Sequence, residues 1–342
     1  MRDRSRRSFL LEMMRWPGLV MAWPRRGIMA GDGSQKVRVS SSYPSYLRLH
    51  KEGGLQKRAE ELLAIYRNCT LCPRDCRVDR TKGELGKCRA SARVKVSSAF
   101  PHSGEEPPLV GTEGSGTIFF SHCSLRCLYC QNHDISFDGY GEEITDRQLA
   151  DVMVRVQKLG CHNINLVTPT HFVPNIVNAL TMAVPLGLRV PLVYNTGGYD
   201  KVDVLRLLDG VVDIYMPDFK YWEAEKAAAY SSEAFSYPHY AREAHLEMQR
   251  QTGVLETDGR GIARRGLIIR HLVLPDRLAG TREVVRFIAQ SLSRDSYVNI
   301  MRQYRPEHKA LGIKELSRRI TEAEYAEALG WAREAGLHRF AR

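Results

Sequence analysis

From Thr117 onward the chain alternates between two hydrophobic periods, and this alternation restricts the fold more than any other feature. Runs of strand character lie near 117–121, 163–168, 189–195, 211–216, 267–274 and 297–302. Between them apolar residues recur at helical spacing, as in Leu149, Val152, Val156 and Leu159, or Val202, Leu205 and Leu208. Such strands form a parallel sheet of βα units with right-handed crossovers. Six units are too few for a closed eight-stranded barrel. In a parallel sheet of this kind ligands bind at the C-terminal strand ends, so polar residues there are the first site candidates.

Seven of the eight cysteines fall into two clusters, a distribution that points to a reducing compartment and to metal rather than to disulfides. Cys123, Cys127 and Cys130 follow the first of these strands directly, in TIFFSHCSLRCLYCQN. Their Cys-x3-Cys-x2-Cys spacing puts three thiolates on one tight loop, enough to ligate three irons of a [4Fe-4S] cube and leave the fourth iron open. A closed zinc site would need a fourth ligand such as His122 or His133. Tyr129 suits a loop that shields a redox centre from water. Upstream, Cys69, Cys72, Cys76 and Cys88 follow a helical stretch over Leu55 to Tyr66, and Pro73, Gly83 and Gly86 supply turns around them. Four thiolates fit either a structural zinc or a second iron-sulfur cluster. Cys161 reads as a small buried hydrophobe.

CSLRCLYC behind a strand resembles the signature of the radical S-adenosylmethionine (radical SAM) superfamily. The wider run HSGEEPPLVGTEGSGTIFFSHCSLRCLYCQNHDIS is similar to uncharacterised homologues of the pyruvate formate-lyase activating enzyme. The resemblance covers roughly residues 60 to 310, and CPRDC and GELGKC resemble an N-terminal segment of related enzymes. It implies an α/β fold, a partial (β/α)6 TIM-type barrel, with a small N-terminal four-cysteine segment. It also implies a [4Fe-4S] cluster on Cys123, Cys127 and Cys130 whose open iron takes SAM. SAM would be cleaved reductively to a 5′-deoxyadenosyl radical that abstracts hydrogen from a substrate, a glycine of a partner protein if the activating-enzyme role carries over. The electron donor would be a flavodoxin or ferredoxin.

The same resemblance nominates cofactor-binding residues. Thr168-Pro169-Thr170-His171-Phe172 stands where many relatives have Gly-Gly-Glu-Pro, so the SAM amine contact passes to Thr168, Thr170, His171 or backbone carbonyls. Asn195 opens a glycine-containing turn, and Asp218 and Lys220 form an Asp-x-Lys element. Arg270 and His271 point to opposite faces of a strand, so one of them reaches the barrel interior. Tyr304 either stacks near adenine or fills the core. No residue is assigned as catalytic.

The 342-residue chain divides into a basic extension and linker over 1–45, a helix and four-cysteine segment over 46–100, the barrel over 101–310 and a helical region over 311–342. Residues 101–116 read as a long loop; His102, Glu105 and Glu106 on it are candidates for substrate contacts, with solvated loop residues the plainer reading. Seven arginines against two acids in residues 1–30 supply five of the eleven net positive charges. Ser5-Arg6-Arg7-Ser8-Phe9-Leu10 matches a twin-arginine export signal, but Glu12, Arg15 and Pro17 interrupt the following apolar segment. The expected location is therefore cytoplasmic. No run approaches a membrane span, and no basic stripe interleaved with aromatics argues for nucleic acid. The rival reading is a non-enzymatic iron-sulfur electron carrier or zinc-stabilised binding module, which requires four ligands at both cysteine sites.

Overall fold

The computed structural model describes residues 43–341. The basic segment over 1–30, with its export-like motif, lies outside them. Six strands run parallel: β2 (Ser115–Phe120), β4 (Ile164–Val167), β5 (Leu192–Thr196), β6 (Ile214–Pro217), β8 (Ala263–Leu272) and β9 (Tyr297–Met301). They lie side by side in chain order, β2-β4-β5-β6-β8-β9. A doubly wound sheet reverses its strand order at a switch point, and this sheet has none, so it is the singly wound partial barrel.

Two strands precede the expected first one in the sheet. β1 (Val94–His102) pairs antiparallel with β2, and β3 (Glu142–Ile144) pairs antiparallel with β1. The sheet therefore begins at Val94. At the far edge a two-residue β10 (Arg339–Phe340) pairs parallel with β9, and β7 (Glu256–Thr257) pairs with β8 off the main path.

The helices cover the outer face because their apolar stripes need it. Helix α1 (Tyr46–Lys51) and α2 (Gly54–Ala64) come first, with Leu55, Ala59 and Leu62 of α2 fully buried. Helix α3 (Asp146–Lys158) starts at a capping box, Thr145 with Gln148, and buries Leu149, Val152, Met153 and Val156. It packs with α2 against α4 (Val173–Ala183). Truncating a side chain such as Leu149, 0% exposed, costs roughly 2–5 kcal/mol in such a core. Helices α5 (Val202–Leu207), α6 (Ala224–Tyr230), α7 (Tyr237–Thr252), α8 (Thr281–Phe287) and α9 (Glu322–Glu334) complete the outer layer.

The barrel interior has two tiers. Val193, Ile214, Met216 and Ile268 form a separate apolar cluster, joined by Leu109, which is 0% exposed. Leu109 belongs to a one-turn helix, Pro107–Val110, within the segment expected to be a solvated loop. That segment instead plugs the barrel. Glu106 is buried and accepts from Asn299 Nδ2 on β9 at 2.9 Å, and Glu105 Oε2 lies 3.8 Å from Arg270 Nη1. No described helix is long and apolar enough to cross a membrane.

Candidate active site

The three-cysteine loop leaves the C-terminal end of β2 and is fixed from several sides. Leu128 donates its N–H to Tyr230 O at 2.8 Å, and its carbonyl accepts from Lys309 and Ala310. Arg74 Nε donates to Ser124 O, and Ser232 Oγ donates to Arg126 O. The sulfurs themselves accept hydrogen bonds: Ser231 Oγ to Cys127 Sγ at 3.0 Å, Ser136 Oγ to Cys130 Sγ at 3.2 Å, and the Leu125 N–H to Cys123 Sγ at 3.4 Å. Donors aimed at sulfur favour thiolate, the form that ligates iron. Burial pushes all three thiols up, and the Lys220 charge pulls each back toward thiolate.

Lys220 belongs to a buried row of charges at the strand ends. Its Nζ lies 2.6 Å from Asp218 Oδ2, Asp218 Oδ1 accepts from Arg270 Nε at 2.8 Å, and Arg270 Nη2 donates to Asn195 Oδ1 at 2.7 Å. Burial alone would raise the Asp218 carboxyl, yet Arg270 and Lys220 hold it below the ordinary carboxylate range. Burial likewise works against the Lys220 charge, and Asp218 restores it. Glu105 adds a second carboxylate on the Arg270 side. Deeper in the barrel, Asn165 is 0% exposed, and both its side-chain polar atoms lack a hydrogen-bond partner among the described residues.

Glycine is required where the β5 turn meets this row. Gly198 has φ +75°, and a Cβ there would lie 2.2 Å from Asp218 O. At Gly197 a Cβ would lie 2.8 Å from Leu125 Cδ1 of the cysteine loop.

The other expected site residues are distributed between the site and the core. Thr168 sits at the β4 end with φ +60° and donates its N–H to Asn195 O at 2.8 Å, which leaves its side chain at the strand end. Thr170 is buried and donates to Asp200 Oδ1 at 2.8 Å, in a network with Thr196 and Tyr194. Its hydroxyl is engaged in holding the β5 turn. The His171 ring bonds Ser121 O through Nε2 at 2.8 Å, and burial lowers its pKa to about 3, so it is a neutral brace behind the loop. His271 faces the outer layer, between Phe219 O and Thr281 Oγ1, while Arg270 faces inward. Tyr304 fills the core: it is 2% exposed and donates to Leu316 O at 2.7 Å. Tyr129 packs edge-on against Tyr304 and Tyr221, backing the loop with aromatic rings.

Cys161 is buried, as expected. His102 lies 3.2 Å from Glu105 Oε1. His133 stacks on His308 at 4.9 Å, and His122 packs against Gly139. Among the described residues no three Cys, His, Asp or Glu side chains are grouped to hold a single ion.

Ser231, Arg74, Asn165 and Asn299 are functional candidates that sequence reasoning did not find. Ser231 and Arg74 carry no local signal. Asn165 and Asn299 are polar residues inside otherwise apolar strands, and that pattern was the available clue.

A singly wound partial barrel with a thiolate loop at the end of its first parallel strand defines a metal-dependent barrel enzyme. The chain belongs to the radical SAM superfamily, whose family model matches residues 117–341. The family implies a [4Fe-4S] cluster and SAM, and the hydrogen-bonded thiolates of the loop fit that group. An uncharacterized protein of Methanocaldococcus jannaschii is 32% identical over 292 residues, covering 83% of this chain and 79% of its own length. The crystal structure of a radical SAM methyltransferase from Sphaerobacter thermophilus aligns with a TM-score of 0.43 at 14% identity, over 86% of this chain and 92% of that one.

Proposed function

We propose that this radical SAM enzyme is an activating-enzyme-like oxidoreductase that abstracts hydrogen from a substrate presented at the barrel mouth, a glycine of a partner protein. The observation that carries the reading is the buried Lys220–Asp218–Arg270 row beside the three-cysteine loop. It contains Asp218 and Lys220, the Asp-x-Lys element that the activating-enzyme resemblance nominates.

Cys123, Cys127 and Cys130 would hold the cluster, and Ser231 and Ser136 would stabilise the ligating sulfurs. When bound, cluster and SAM supply a 5′-deoxyadenosyl radical able to abstract hydrogen. The chain binds and orients. Lys220 holds the SAM carboxylate, and Asp218 and Asn195 accept from its hydroxyls. The amine falls to Thr168 and the backbone carbonyls at the β4 end. Leu109 and the apolar tier beneath exclude water from below. Arg126 and Lys309, which both lie over Phe137 beside the loop, give the outer rim positive charge suited to an acidic donor such as a flavodoxin or ferredoxin.

The test is anaerobic reconstitution, reduction and addition of SAM, with Cys127→Ala alongside. 5′-Deoxyadenosine and methionine from the wild type alone support the reading, and their absence despite an intact cluster overturns it. A glycyl radical signal in a co-purifying partner would support the substrate class.

A further inference from the structure

We propose that Arg74, on the four-cysteine segment, is a positioning residue that aims the hydrogen bonds made to Cys123 and Cys127 and thereby sets the reduction potential of the cluster they hold. The inference rests on the [4Fe-4S] cluster that the family implies, and not on the substrate reading above.

Cys72-Pro73-Arg74-Asp75 closes as a turn, with proline at its second position and the Asp75 N–H donating to Cys72 O at 3.1 Å. Arg74 is therefore carried at a turn tip, and its side chain crosses to the three-cysteine loop. Its Nε donates to Ser124 O and its Nη2 to Ser231 O, both at 2.9 Å, while the guanidinium carbon lies 5.5 Å from the Tyr199 ring centroid. None of its hydrogen bonds goes to a carboxylate among the described residues, so its charge is directed at these two carbonyls. The neighbouring Asp75 faces Lys201 instead, at 3.4 Å.

Each of the two carbonyls stands behind a donor to a ligating sulfur. The Ser124 carbonyl and the Leu125 N–H belong to one planar trans peptide, so they point in opposite directions. Arg74 holds the oxygen on one side, and on the other side the N–H meets Cys123 Sγ at 3.4 Å. A charged donor on the carbonyl also polarises the amide and strengthens its N–H. Ser231 is gripped by its carbonyl in the same way, and its Oγ donates to Cys127 Sγ at 3.0 Å. One guanidinium thus ties together two sulfur donors from distant parts of the chain.

The segment reaches the loop by a second arm. Arg80, 2% exposed, donates to His171 O at 2.7 Å, and the His171 ring bonds Ser121 O, two residues before Cys123. That arm fixes where the loop begins, whereas Arg74 acts on the donors themselves.

The test is full-length Arg74→Gln and Arg74→Lys, reconstituted anaerobically, with redox titration followed on the EPR signal that responds to SAM. Arg74→Gln should move the midpoint potential negative by about 60 mV, a tenfold change for one electron, because weaker donors stabilise the reduced cluster less. Arg74→Lys should leave most of that shift in place, since an ammonium keeps the charge but cannot span two carbonyls as the planar fork does. In a Ser231→Ala background Arg74→Gln should shift the potential less than in the wild type, because the Cys127 donor is already gone. An unchanged potential in a folded, clustered Arg74→Gln variant would overturn the proposal, as would full restoration by lysine or additive shifts in the double variant. If Arg74→Gln does not fold, the lysine variant decides by the same potential. A wild type with no SAM-responsive cluster would overturn the cluster reading and this inference together.

Discussion

Ser231 Oγ lies 3.0 Å from Cys127 Sγ, across 104 residues of chain, and its hydroxyl is also 2.9 Å from Tyr221 Oη. Ser231 is fully buried, so it can supply this hydrogen bond to a ligand sulfur without competition from water. Hydrogen bonds to sulfur stabilise the more negative, reduced state of a cluster. Ser231→Ala should shift the midpoint potential of the loop cluster negative by about 60 mV, a tenfold change for one electron. Redox titration followed by EPR measures it, and an unchanged potential would mean that the contact plays no electronic part.

Lys220 and Arg270 share Asp218 but differ in their alternatives. Arg270 also reaches Glu105 and Asn195, whereas among the described residues the ion pair of Lys220 is with Asp218 alone. Lys220→Met should therefore leave a folded protein whose SAM affinity falls ten- to a hundredfold, about 1.5–3 kcal/mol for a lost charged hydrogen bond. Asp218→Asn should instead cost stability, about 3–5 kcal/mol, because two buried cations lose their carboxylate. Calorimetric SAM titration and urea unfolding separate the two effects.

Gly198→Ala should destabilise the fold by roughly 2–4 kcal/mol, since the position combines φ +75° with a Cβ 2.2 Å from a carbonyl oxygen. Gly187→Ala provides the contrast: it has φ +98° but nothing within 4 Å of the added Cβ. It should cost about 1 kcal/mol, the backbone conformation alone. Equal losses in urea melts would show that the close approach to Asp218 does not matter.

Acid should unfold this protein steeply. Burial lowers the pKa of His171 to about 3 and those of His245 and His271 to about 4, below the ordinary value near 6.5. Their neutral forms stabilise the fold above pH 6.5, and that stability is lost as the pH falls toward 4. Asp213 acts in the opposite sense: burial raises it to about 6, so the folded chain gains a proton that the unfolded chain does not take up until near pH 4. The neutral histidines oppose the raised carboxyl, so stability should fall as the pH drops from about 6 to 5, each such histidine contributing about 1.4 kcal/mol per pH unit. His245→Leu should reduce that slope by about 1.4 kcal/mol per unit, as read from urea midpoints against pH.

The parallel strands were legible in the sequence because each is a short apolar run bounded by helical periods, and the three loop cysteines because their spacing is local. β1 was not: VKVSSAFPH reads as neither buried run nor strict alternation, and its partner β2 is what makes it a strand. Glu105 and Glu106 looked solvated because acids in a Pro- and Gly-rich stretch usually are, and the partners Arg270 and Asn299 that they meet in the barrel lie far away in sequence. The choice between Arg270 and His271 needed the sheet's handedness, since alternation fixes that they oppose but not which turns inward. Tyr304 and Thr170 find partners in Leu316 and Asp200, contacts that no local pattern encodes.

Leu109 gives the barrel a floor, and a vessel with a floor has one doorway. Whatever sits nearest the three-cysteine loop must enter first and leave last. The enzyme should accordingly load SAM before its substrate covers the mouth, release the modified substrate before methionine and 5′-deoxyadenosine, and show ordered kinetics with no productive binding in the reverse sequence.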